Sequence, residues 1–193
     1  MSARRLLLSV AVAAALVGAA CADPPDKEIQ QAQGAIDAAR AAGADQYATE
    51  EFTAAQEALK RANDAVGQRD YRLALNHALD ARERAQNAAK ESADRKTTAR
   101  SEAERALLDG MTALNEAHTK LRAAETARAP AKVVVTARRV ITDAEDTVQK
   151  ARAAFDAGDY LSTKTALSGT TERLKATARD LEAAAPGANR KRR

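Results

Sequence analysis

Ala74, Ala78, Ala81, Ala85 and Ala88 fall three or four residues apart, with no proline or glycine between them. That spacing lines five methyl groups along one stripe of an α-helix. Such a stripe buries little area, so it stabilises a fold only where a second helix lies close along its length. The same rhythm runs through Phe52, Ala55, Leu59, Ala62 and Val66, and again through Ala137, Ile141, Ala144, Val148, Ala151 and Phe155. Tyr160, Leu167, Leu174 and Leu181 recur every seven residues. With 51 alanines in 193 residues, 3% aromatics and no Trp, the chain reads as helix with a thin core. The expected fold class is all-α: long antiparallel helices, weakly coiled-coil-like, in two helical-hairpin or three-helix units joined by a long helix.

The breaks in the rhythm place the elements. Ile29, Ala32, Ile36 and Ala39 mark a first helix, which Gly43 stops. Gly67 ends the second, Asp70 caps the third through its carboxylate, and Tyr71 covers the turn. From Lys90 to Glu102 the large apolar residues vanish but no proline intervenes, which suggests a solvated helical connector. Leu107, Met111, Leu114, His118 and Leu121 restart a seam, and Gly110 within it costs about 1 kcal/mol relative to Ala and permits a bend. Pro130 ends that run, and the β-branched triplet Val133 to Val135 is too short to argue for a sheet. Gly158 then ends a helix, Asp159 caps the next and Tyr160 begins it.

The two turns share a cause. Asp70-Tyr71 recurs as Asp159-Tyr160, and at the same offset of 89 Phe52 maps to Ile141, Ala55 to Ala144, Leu59 to Val148 and Ala62 to Ala151. A turn alone can converge on Gly and Asp, but the matching seam before it points to divergent duplication. The expected division is a first helical unit over 28–106 and a second over 107–184. The expected helices are 27–43, 48–67 and 70–106, then 107–128, 132–157 and 160–184.

The N-terminus gives an address. Arg4 and Arg5 precede an apolar run of 12, Leu6 to Val17, followed by small residues and then Cys21. This is the layout of a secretory signal peptide over 1–20. The run is too short for a membrane span, which needs about 20 apolar residues. Val17 to Cys21 resembles the lipobox of bacterial lipoproteins, which implies acylation of Cys21. Residues 21–27, with Pro24 and Pro25, then read as a short tether. Ala22 after the cysteine implies, by the same resemblance, an outer-membrane location facing the periplasm.

Charge narrows the partners. The net charge is +4, but Arg4, Arg5 and the terminal Arg190, Lys191, Arg192 and Arg193 supply the excess; the remainder carries 25 basic against 27 acidic residues. A near-neutral body without aromatic platforms or a recognised motif argues against nucleic acid. The tail over 185–193 is expected to be disordered, and its four basic residues suit anionic lipid or wall polymer.

Ala42-Gly43-Ala44, Tyr47-Ala48-Thr49 and Asp70-Tyr71, with the alanine-rich helix that follows, resemble an uncharacterised helical domain of bacterial envelope lipoproteins. The resemblance covers about 38–94. It implies an envelope location and brings no activity.

Catalytic signals are sparse. His77 and His118 stand 41 residues apart without a metal-ligand motif. Glu102, Glu104, Asp143, Glu145 and Asp146 sit near basic residues such as Arg138, Arg139 and Lys150, which favours solvated helix pairs over acid–base work. No catalytic residue, metal or cofactor is expected. The reading is a non-enzymatic, lipid-anchored envelope protein acting as helical spacer or protein-interaction module. The alternative is a periplasmic holdase-type chaperone with helical arms.

Overall fold

The computed structural model describes residues 23–185, and over these the chain is helical without a strand. The all-α expectation holds. The helices are α1 (Asp26–Ala41), α2 (Ala44–Tyr47), α3 (Thr49–Gly67), α4 (Tyr71–Thr126), α5 (Ala131–Asp156) and α6 (Tyr160–Ala184). The expected signal segment over 1–20, Cys21 and the basic residues Arg190 to Arg193 lie outside the described residues.

The described residues form two compact units, divided between Ala93 and Asp94. The boundary falls inside α4, the 56-residue helix that runs through the expected connector and through Gly110 without interruption. Each unit contains three long helical stretches.

In the first unit, cross-helix contacts fix direction and register. Arg82 Nη1 donates to Gln31 Oε1 at 2.8 Å, and Ser92 Oγ donates to the Ala42 carbonyl at 2.8 Å, so α1 runs parallel to α4. Arg84 reaches Glu51 and Arg61 reaches Asp80, so α3 runs antiparallel to α4. The core holds Ile36, Phe52 and Leu59 against Ala81, Ala85 and Ala88. All five alanines of the α4 stripe are completely buried, as close helix approach requires.

The second unit has the same plan with different filling. Glu102–Lys164 and Lys120–Glu182 set α6 parallel to α4, while Glu125–Arg138 and His118–Glu145 set α5 antiparallel. Leu167, Leu174 and Leu181, each at most 1% exposed, supply the bulk from α6. At the 89-residue offset Leu167 stands where the first unit has Ala78, and Leu174 where it has Ala85. The two units share a plan, and they fill the space between helices from different sides.

The hairpin turns match bond for bond. Asp70 N–H donates to Ala65 O and Arg69 N–H to Val66 O; Asp159 N–H donates to Ala154 O and Gly158 N–H to Phe155 O. These are paired Schellman closures. Asp70 Oδ1 then accepts from Leu73 N–H at 3.0 Å, and Asp159 Oδ1 from Ser162 N–H at 3.1 Å. Tyr160 lies against Phe155 across the second turn, with ring centroids 5.3 Å apart.

One turn residue needs correction. Gly67 is not the left-handed exit; it is the last residue of α3, and Arg69 adopts φ 59° instead. The helix ends at Gly67 as expected, but Gln68 is its C-cap and the left-handed residue of the closure follows at Arg69. Gly158, with φ 84°, holds the equivalent place in the second unit. A left-handed conformation costs an L-residue with a Cβ roughly 1–2 kcal/mol. Arg69→Gly is therefore expected to stabilise the first unit by about 1 kcal/mol, net of the entropy glycine adds to the unfolded chain. A urea melt followed by circular dichroism checks this, and an unchanged or lowered midpoint would contradict it.

Candidate functional site

The seam of α4 in the second unit is not the one that the bulky residues suggest. Ala103, Gly110, Ala113 and Ala117 are buried, with Leu121 and Ala124 beyond them. Leu107 and Leu114 are half-buried, and Met111 and Leu108 are exposed. The expected seam of Leu107, Met111, Leu114 and His118 is thus displaced to the flank. The cause is steric: a Cβ on Gly110 would stand 3.2 Å from Leu167 Cδ2, so the line of closest approach admits only small residues.

That displacement opens a groove of about 520 Å³ between α4 and α5. Its floor is Leu107, Leu114, Val148 and Phe155, and Met111 and Leu108 stand at its edge, 42% and 66% exposed. The rim carries Glu104, Glu145 and Asp156 against Arg152, with Asn115 and Gln149 between. Glu145 Oε1 also meets His118 Nε2 at 2.9 Å. An apolar floor with a mostly acidic rim suits an apolar helix face flanked by basic side chains.

The other sequence candidates disperse. His77 is half-buried on α4 in the first unit, and His118 belongs to the second. Among the described residues no three His, Cys, Asp or Glu side chains converge as a metal site. The carboxylates form pairs between helices: Glu102 with Lys164 at 2.6 Å, and Glu125 with Arg138 at 2.8 Å. Such exposed pairs set register and contribute little stability. In the first unit Arg84 bridges Asp80 and Glu51, and Asp80 foremost raises its already high pKa. Gly67, Asp70, Tyr71, Gly158, Asp159 and Tyr160 shape the two turns, and none of them lines the groove. Among the described residues no helix is long and apolar enough to cross a membrane.

The sequence carries a signal for the groove in a second frame. Ala103, Ala106, Gly110, Ala113 and Ala117 also keep 3–4 spacing. In a chain whose other seams are alanine, that small-residue frame is the one that packs, and the bulky frame beside it faces outward.

Fold and groove define the class, an all-α protein of two three-helix units with an apolar groove in the second. Residues 27–109 match the model of a family described as a domain of unknown function, DUF4398. The match contains the 38–94 stretch whose turns carry the resemblance, and it covers α1, α2, α3 and the first part of α4. Comparison with curated proteins and with solved structures gives no match.

Proposed function

We propose that this chain is a non-enzymatic, lipid-anchored envelope protein that docks a partner helix in the groove of its second unit. The observation that carries the docking role is the outward turn of Leu108 and Met111 over an apolar floor. Helix packing exposes these side chains where a helical protein with no partner gains nothing from them. The acidic rim commits the partner to a helix with apolar residues at 3–4 spacing and basic flanks. The signal layout and Cys21 support export and acylation, with the protein on the outer membrane facing the periplasm. Arg190, Lys191, Arg192 and Arg193 suit anionic lipid or wall polymer.

The test is photocrosslinking in native cells from a benzoyl-phenylalanine at Leu108. One discrete adduct is expected, its partner peptide apolar and basic. Met111→Glu is expected to remove the adduct with helicity unchanged, because Met111 already faces solvent. A ladder of unrelated adducts, together with suppressed aggregation of an unfolded outer-membrane protein, would move the reading to the holdase. An undiminished adduct in Met111→Glu would show that the groove is not the dock.

A further inference from the structure

We infer that the turn between α3 and α4, with Arg69 and Arg72, is the membrane-facing end of the first unit and seats on lipid phosphates. This rests on the reading that Cys21 is acylated. The argument begins at the tether. Pro25 is buried with φ −80° and ψ 51°, and Asp26 N–H donates to the Pro24 carbonyl at 2.9 Å. That is an inverse γ-turn, so the chain is fixed to the unit from Pro24 onward. Two residues, Ala22 and Asp23, stand between Cys21 and Pro24, and the three Cα steps reach about 11 Å at most. An acylated Cys21 therefore holds the headgroup layer close to the start of α1.

The register shows what else lies at that end. Gln31 is level with Arg82, and Ala42 with Ser92, along parallel helices. At about 1.5 Å per residue, Asp26 is level with about residue 77 of α4, and Tyr71 lies roughly 9 Å beyond it, past the N-terminal end of α1. A bilayer within reach of Cys21 and lying across the N-terminal end of α1 meets this turn before any other part of the unit. The opposite end, with α2, lies about 30 Å away along α4.

The chemistry of the turn fits a phosphate surface. Arg69 and Arg72 are exposed, and among the described residues neither guanidinium has an ion-pair partner. Arg61 and Arg84, further along the same hairpin, are both paired. Asp64 and Asp70 share the turn; the Asp70 carboxylate is engaged by Leu73 N–H. Leu73 is 41% exposed and Tyr71 half-buried beside it, an apolar and amphipathic pair suited to the interface. Arg69 also keeps a left-handed backbone where the second unit has Gly158. A guanidinium that binds phosphate in bidentate fashion is a reason to retain an arginine there.

The test uses the full mature chain from host membranes, in vesicles of phosphatidylethanolamine and phosphatidylglycerol. The mass of the N-terminal peptide is read first. A fluorescent amino acid is placed at Gln68 or at Gln46, both exposed, and quenched by headgroup-spin-labelled lipid. Quenching is expected to be several-fold stronger at Gln68. Arg69→Gly combined with Arg72→Gln is expected to weaken it while thermal stability holds or rises, which separates lost contact from lost fold. Acylated Cys21 with equal or stronger quenching at Gln46 overturns the orientation alone. A bare Cys21 overturns the anchor reading and this inference with it.

Discussion

Leu174→Ala is expected to cost about 4 kcal/mol, near the top of the range for a buried leucine. Leu174 is completely buried in a cluster with Ile141, Ala144, Ala113, Ala117 and Leu181. Part of the loss is the transfer term for the atoms removed, and part is the cavity they leave. The cavity term decides the magnitude. In a leucine-rich core, neighbours change rotamer and partly refill the space. Three of the five neighbours named here are alanines, which have no rotamer to change. Helix backbones already close to contact cannot slide inward without lifting Leu167 and Leu181 out of register. The loss is a large fraction of the whole stability of a small domain, roughly 5–15 kcal/mol. The variant's urea midpoint, followed at 222 nm, is expected to fall sharply. A loss below about 1.5 kcal/mol would mean that the unit collapses around the gap, and so packs loosely.

The duplicated plan was legible because it rests on local signals. The apolar spacing, Asp70 and Asp159 as caps, and the repeat at 89 residues each act within a few turns of helix, and the structure keeps them in place. Two features were not legible, for the same physical reason. The frame of α4 around Gly110 depends on how closely α5 and α6 approach, and hydrophobicity alone favours the bulky frame. Leu107, Met111 and Leu114 are the stronger apolar signal, but the space beside Leu167 admits only Gly and Ala. The left-handed residue depends on how the chain closes α3 beyond its last residue. A glycine at 67 is a good helix-stop signal, but Gln68, Arg69 and Asp70 complete the closure two residues later. The repeat held the remedy in both places: aligning Gly158 with Arg69 identifies the left-handed position. The heptad leucines of α6 likewise imply a facing helix with a narrow seam. The groove has the same cause as the first of these features, since the bulky residues kept out of the narrow seam are the ones left to line it.

Gly110→Ala and Gly110→Leu are expected to separate by about 3 kcal/mol or more, and the separation tells why the glycine is there. A glycine in the middle of a long helix has two explanations. If it serves flexibility, any side chain that favours helix stiffens α4, and both variants gain up to about 1 kcal/mol. If it serves close approach, the size of the side chain decides. A single Cβ would meet Leu167 Cδ2 at 3.2 Å, Thr171 Oγ1 at 3.6 Å and Val148 Cγ2 at 3.8 Å. The nearest atom is the end of a leucine side chain, which can give by a few tenths of an ångström. For Gly110→Ala the gain in helix propensity and the contact strain are of similar size, so stability is expected to stay within about 1 kcal/mol of the parent. Leucine adds three carbons beyond the Cβ, directed at residues that are themselves buried. Room for them comes only from parting α4 from α5 and α6, which draws Ala106 and Leu107 away from Val148, Ala151 and Leu167. Gly110→Leu is therefore expected to lower stability by about 3 kcal/mol in chemical denaturation. If both variants are stabilised alike, the helix uses Gly110 as a hinge. If alanine is tolerated and leucine is not, the glycine is the narrowest point of the interface that turns Leu108 and Met111 outward.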